Sequence, residues 1–230
     1  MSENKNEKRA VVLLSGGVDS STCLAIAKNE GYLCYTLAFQ YGQRHEIELQ
    51  MAACQAQSFD VQKHLVIKVE LYKVGGSALT SQMEIPKKDT GNEIPITYVP
   101  ARNVVFLSLG LAWAEVLDAE ALFIGANQVD FSGYPDCRRS FIEAFEQTAN
   151  LATRSGTEGR PIRIRAPLLD MNKAQIIRRG IELGVDFNET HTCYDPGPNG
   201  IACGVCPSCR LRKKGFAEAG LLDPIEYRIS

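Results

Sequence analysis

One local pattern limits the possible folds more than any other. The apolar run Val11-Val12-Leu13-Leu14 passes directly into Ser15-Gly16-Gly17-Val18-Asp19-Ser20-Ser21, and a stretch of helical period follows. A strand that hands over through a glycine turn to a helix opens a βαβ unit, and such units close into a parallel sheet covered on both faces. The rest of the chain repeats the alternation. Strand-like segments at 10–14, 33–39, 64–69, 120–124 and 162–164 are interleaved with helical periods at 20–28, 46–58, 103–117, 138–153 and 173–183. The expected architecture is therefore α/β, a Rossmann-like doubly wound parallel sheet. The 103–117 segment is apolar nearly all round, which predicts a helix buried at the centre. Residues 71–100, with three Gly, three Pro and weak periodicity, make a connection longer than compact domains usually carry, either a functional loop or a partly mobile one.

Charge and composition exclude several classes. With 25 Lys+Arg against 27 Asp+Glu the net charge is −2, so no global field favours a phosphate backbone and no nucleic-acid partner is expected. The longest apolar stretch, 104–117, is broken by Gly110 and Glu115 and is too short for a bilayer, so no membrane partner is expected either. Residues 2–9 are polar and charged with no apolar h-region, which reads as a disordered lead-in to a cytoplasmic protein.

Of the eight cysteines, Cys23, Cys34, Cys54 and Cys137 are scattered, whereas Cys193, Cys203, Cys206 and Cys209 form a C-x9-C-x2-C-x2-C cluster among Gly and Pro turns. Four thiolates suit a tetrahedral Zn²⁺ with no open position for water, hence a structural ion, one per chain; a redox pair or an iron–sulfur cluster is the weaker reading. Composition shifts once, near Glu189. The expected organisation is a nucleotide and substrate domain over 1–188 with a small zinc-binding C-terminal subdomain over 189–230. The basic run Arg210, Arg212, Lys213 and Lys214 reads as a solvated helix face.

The glycine turn lies at the carboxyl end of its strand, where open α/β sheets bind ligands. Gly16 and Gly17 let backbone N–H groups approach an anion, and Ser15, Ser20 and Ser21 add hydroxyls at a helix N-terminus, a combination suited to phosphate. The lysine-bearing P-loop and the dinucleotide fingerprint are both missing. Asp19 would repel a phosphate unless Mg²⁺ lay between them; otherwise it caps the helix. Asn172 with Gln175 reads as a capping box that puts Lys173 at the first helical position, where a cation opposes the helix dipole. Such a placement is explained by an anionic phosphate within reach or by simple solvation. Arg102, opening the apolar helix, poses the same question, because a desolvated arginine beside a core usually holds an anion. The loop at 125–138 gathers Asp130, Tyr134, Asp136 and Arg138 at another strand end and reads as a substrate pocket.

The string Ser15-Gly16-Gly17-Val18-Asp19-Ser20 resembles the pyrophosphate-binding loop of the PP-loop ATPases. Tyr41-Gly42-Gln43-Arg44-His45, Tyr98-Val99-Pro100-Ala101-Arg102-Asn103, Gly125-Ala126-Asn127, the 130–138 loop and the cysteine cluster narrow the resemblance to the 7-cyano-7-deazaguanine synthase family, over nearly the whole chain. That resemblance implies an ATP-dependent ligase of queuosine precursor biosynthesis. It would turn 7-carboxy-7-deazaguanine and ammonia into a nitrile through adenylated acid and amide intermediates, releasing AMP and pyrophosphate. ATP would be held along Leu14, Ser15, Gly16, Gly17, Val18, Asp19, Ser20, Ser21, Thr22, Cys23 and Leu24. Asp19, Lys173 and Arg102 would serve catalysis, with Mg²⁺ on Asp19 and zinc on Cys193, Cys203, Cys206 and Cys209. Asp130 or Asp136 would read the N1–H and 2-amino edge of the ring, with Tyr134 or Phe131 stacking and Arg138 nearby. His45 becomes a possible ligand contact, while His64 and His191 read as structural and Cys137 as a pocket wall. No segment is left for a glutaminase, so free ammonium is the expected nitrogen source. A homodimer is implied. The competing readings are a tRNA-modifying relative, which would need an RNA-binding appendage, and a nucleotide-sensing module.

Overall fold

Apolar residues at successive positions of 10–14 demand burial on both faces of a sheet, because neighbouring side chains along a strand point to opposite sides. The computed structural model describes residues 7–43, 47–81, 83–84, 94–130 and 133–228. The polar lead-in, His45 and Phe131 lie outside the described residues, except for the last few positions of the lead-in. β1 (Arg9–Leu13) pairs in parallel with β2 (Leu33–Gln40), Val11 opposite Tyr35, and with β4 (Ala121–Phe123), Val11 opposite Leu122. β3 (Lys63–Lys68) and β5 (Arg163–Arg165) complete a sheet of order β3-β2-β1-β4-β5. The chain winds outward from β1 in one direction and then in the other. The ligand crevice of such a sheet falls where the winding reverses, outside the carboxyl ends of β1 and β4.

The two faces bury separate clusters. Ala10, Val12, Ala38 and Phe123 face α1 (Val18–Asn29), α2 (Ile47–Ser58) and α6 (Lys173–Glu182), meeting Leu24, Ala52, Ile176 and Ile177. Val11, Leu13, Leu37, Leu122 and Ile164 face α3 (Arg102–Val116) and α4 (Arg139–Ala152), meeting Leu107, Ala114 and Ile142. A single turn, α5 (Arg154–Thr157), precedes β5. The doubly wound architecture expected from the sequence is present, with strand positions within about two residues of those expected.

Helix α3 departs from expectation. It does not run through the centre but lies on one face of the sheet, touching it through Leu107, Gly110 and Ala114, and leaves Val104 38% and Val116 80% exposed. Only one stripe of a helix can contact a sheet, so an all-round apolar sequence does not enforce all-round burial. Among the described residues, no helix is long and apolar enough to cross a membrane.

The last helix, α7 (Pro207–Ala219), packs against α6, and its Phe216 meets Phe187 edge-on at 5.6 Å in the second core. The basic run on this helix is not wholly solvated. Arg210, Lys213 and Lys214 are exposed, but Arg212 is 1% exposed. Its Nε donates to both Asp223 oxygens at 3.1 and 3.0 Å, and its Nη1 and Nη2 donate to Thr190 Oγ1 at 2.8 Å and the Phe187 carbonyl at 3.0 Å. The guanidinium's fixed fork satisfies three partners at once, which is why an arginine can be buried here. Removing the carboxylate strands a desolvated charge, so Asp223→Ala will lower the unfolding free energy by about 3–5 kcal/mol. A urea titration should show the midpoint falling at unchanged slope.

Candidate functional site

At the reversal point, the turn after β1 and the 124–127 segment after β4 open onto a cavity of about 250 Å³. Gly16 has φ +79°, and a Cβ there would stand 2.4 Å from the Glu48 carbonyl and 2.6 Å from the Ala52 nitrogen. Only glycine lets the turn lie this close to α2. Helix α1 then starts at Gly17, which offers no side-chain cap, so its first amides remain available to an anion. Ser20 Oγ instead accepts from the Ser15 amide at 3.1 Å and sits 3.0 Å from Ser15 Oγ, fixing the turn from within. The His191 amide donates to the Gly16 carbonyl at 2.8 Å from the other side.

Asp19 is not a helix cap. Lys173 Nζ donates to its two carboxylate oxygens at 2.6 and 2.7 Å and stands 3.4 Å from Asp130 Oδ2. Both halves of the capping box expected at Asn172 and Gln175 are present, and Lys173 occupies the first position of α6. Lys173 is only 6% exposed, so the solvated reading fails; the anion it reaches in the structure is Asp19. Its stem passes under α7, where a Cβ on Gly215 would lie 2.3 Å from Lys173 Cγ. Desolvation raises the Asp130 carboxyl above the usual range, and Lys173 pulls it back.

The sequence candidates divide by position. Leu14, Ser15, Gly17, Val18, Asp19 and Ser20 line the cavity together with Arg102, Tyr134, Cys137 and Lys173. Ser21, Thr22, Cys23 and Leu24 are buried in α1 beyond the wall, because the helix turns these positions inward; Thr22 Oγ1 donates back to the Val18 carbonyl at 2.9 Å. Asp136 is not part of the wall: its Oδ2 accepts from the Asn103 amide at 3.0 Å, holding the first turn of α3. Arg138 is exposed at the start of α4, away from the cavity, and Asp130 lies behind the wall against Lys173. Burial pushes the Cys137 thiol up to about 11, so it is a neutral wall residue. His64 bonds Thr36 Oγ1 at 2.9 Å, and His191 faces the cavity.

Apart from Tyr41, which heads the 41–45 motif, the other wall residues carried no sequence signal of their own. Phe39 and Phe106 stack at 3.9 Å, Tyr41 meets Phe106 edge-on at 5.4 Å, and Glu48 and Tyr194 complete the lining. Burial pushes the Glu48 carboxyl up to about 7, against the pull of Arg102. The 71–100 connection contributes to the site through its ends: Leu79 lines the cavity, and Thr97 Oγ1 meets Tyr134 OH at 3.0 Å.

Beside the cavity, Cys193, Cys203, Cys206 and Cys209 are all buried with their sulfurs within 4.8 Å of one another, and Cys203 and Cys209 are 3.9 Å apart. Thiolates around a tetrahedral zinc at about 2.3 Å would stand about 3.8 Å from each other, so the donor set fits such an ion. Backbone amides of Cys203, Cys206 and Cys209 donate to sulfurs at 3.2–3.4 Å, which favours the thiolate forms a metal requires.

An uncapped helix N-terminus, a glycine turn and a buried lysine stand at the reversal point of a five-stranded parallel sheet, the doubly wound arrangement of a PP-loop-type fold. In fold it is similar to a predicted subunit of tRNA methyltransferase from Methanocaldococcus jannaschii, at TM-score 0.50 and 20% identity over 76% of this chain and 75% of that one. It is likewise similar to NMN synthetase from Francisella tularensis, at TM-score 0.50 and 17% identity over 99% and 81%. A family model described as queuosine biosynthesis protein QueC matches residues 9–220, and the chain belongs to that family. It is 58% identical to a 7-cyano-7-deazaguanine synthase of Geotalea daltonii over 97% of this chain and 98% of the relative. A 7-cyano-7-deazaguanine synthase of Citrifermentans bemidjiense is 56% identical over 96% and 99%.

The turn geometry makes a direct prediction. Gly16→Ala forces a left-handed backbone and a clash with α2, and will cost about 2–4 kcal/mol in denaturant unfolding.

Proposed function

We propose that this chain converts 7-carboxy-7-deazaguanine and ammonia into 7-cyano-7-deazaguanine at the expense of two ATP, acting in the cytoplasm as a homodimer on small molecules alone. The observation that carries the reading is the Asp19–Lys173–Asp130 cluster beneath the uncapped start of α1, in a chain whose relatives bear that enzyme's name. The turn at 15–20 would hold the β- and γ-phosphates through its backbone N–H groups. An oxygen of the substrate carboxylate attacks the α-phosphorus, the bond to the β-phosphate breaks, and pyrophosphate leaves. Ammonia then adds to the acyl carbon and expels AMP, giving the amide. The amide oxygen attacks a second ATP in the same manner, and loss of AMP and a proton yields the nitrile. Lys173 would offset charge developing on the α-phosphate, and Arg102 would hold the substrate's anionic edge.

Asp19 and Asp130 converge on one cationic point, the Lys173 ammonium, which is a donor set that a hard divalent cation also accepts. When bound there, Mg²⁺ would neutralise phosphate charge. The zinc-binding tail at 189–230 would hold one Zn²⁺ on its four cysteines, without chemistry at the metal, because a four-thiolate shell is closed.

Two measurements test this. Incubation with ATP, ammonium and the deazaguanine acid should release AMP only when the acid is present, with nitrile formed. Asp19→Asn should reduce AMP release at least about 100-fold and also lower the thermal midpoint, because Lys173 keeps only the longer contact to Asp130; undiminished turnover would remove Asp19 from the mechanism. Metal analysis should find one zinc per chain, and Cys206→Ser should lose it and lower the thermal midpoint. A stable, active, metal-free protein would overturn the zinc assignment.

A further inference from the structure

Most polar side chains on the cavity wall are already committed to backbone. Gln43 accepts from the Tyr41 amide at 2.7 Å and donates to the Phe39 carbonyl at 3.0 Å. Asn127 accepts from the Asp130 amide at 2.8 Å and donates to the Met171 carbonyl. Asn103 Nδ2 donates to the Asp136 carbonyl at 3.0 Å. Two charged groups are left facing the space. Glu48 stands in the first turn of α2 and Arg102 opens α3, and both line the cavity. The two form no ion pair with each other, and the Glu48 carboxylate has no hydrogen-bond donor among the described residues. An unpartnered carboxylate at an apolar wall is costly unless a ligand supplies its donors.

The surrounding walls restrict what that ligand can be. The stacked Phe39–Phe106 pair and Tyr41 make them flat and aromatic, which suits a planar heterocycle. A carboxylate accepts two parallel hydrogen bonds from an N–H and an adjacent exocyclic amine, while a guanidinium beside it donates to a neighbouring carbonyl or carboxylate. We infer that Glu48 is the specificity-determining residue that reads the N1–H and 2-amino edge of the purine-like substrate, while Arg102 takes the adjoining carbonyl and carboxylate edge. The inference rests on the function proposed above and replaces Asp130 and Asp136, which the structure gives to Lys173 and to the start of α3. The rise of the Glu48 carboxyl by burial agrees with a group still lacking its donors.

The test is a comparison of two ligands on the full-length protein without ATP: 7-carboxy-7-deazaguanine and its analogue without the 2-amino group, titrated by calorimetry. The wild type should bind the first roughly 10–100-fold more tightly, and Glu48→Gln should bind the two nearly alike. A merely structural role for Glu48 would weaken both ligands by the same factor and leave the ratio standing, and that result would overturn the inference. So would a wild type that never discriminates. Should Glu48→Gln fail to fold, Glu48→Asp keeps the charge and must retain part of the discrimination; an unchanged or wholly absent ratio there also counts against the assignment. Acid-dependent AMP release by the wild type separates the two failures. Turnover without discrimination sinks only the role of Glu48, whereas no turnover and no binding of either ligand sinks the proposed reaction and this inference with it.

Discussion

The rest of the site depends on one desolvated charge. Lys173 carries an ammonium at 6% exposure, and a charge so buried persists only beside counter-charges, here Asp19 and Asp130. Those two carboxylates come from the carboxyl ends of two neighbouring parallel strands, one at the start of α1 after β1 and one in the loop after β4. The ion cluster therefore bridges the crevice that the strand order creates. It also fixes α7, because the lysine stem fits only beneath a residue without a side chain, Gly215.

That constraint ties the cysteine cluster to the glycine turn. Cys206 caps α7 and Cys209 lies in its first turn. One turn on, Arg212 grips the Phe187 and Thr190 carbonyls, and the next residue, His191, donates its amide to the Gly16 carbonyl. A metal on the four sulfurs would set the start of α7 and, through Arg212, the segment that braces the glycine turn. Such an ion would support the site without entering the chemistry, as a closed four-thiolate shell requires.

Much of this was legible in the sequence, and the reasons are local. Strand, turn and helix alternation at 10–28 and the capping box at Asn172 and Gln175 are short-range patterns, and the structure places both where the sequence does. The four-cysteine spacing is another, and its sulfurs converge. What was not legible depends on tertiary direction. Arg212 looks like its basic neighbours until the tail folds Asp223 against it, and α3 looks wholly buried until the sheet is seen to cover a single stripe. Asp136 reads as a ligand group because its helix-holding partner, the Asn103 amide, is 33 residues away.

The same logic explains why Glu48 escaped sequence reading. A glutamate in the first turn of a helix is ordinarily a dipole partner facing solvent. Here the turn at Gly16 lies against the backbone of that very residue, which draws the start of α2 to the mouth of the cavity. The glycine that lets the turn approach α2 thus also delivers a carboxylate to the cavity wall. In the function proposed above, activation of a carboxylate by ATP would need both partners held in line with water excluded, and a turn that borders a phosphate site on one side and Glu48 on the other would couple the two requirements. One backbone contact thus sets where the glycine turn and the start of α2 stand relative to each other.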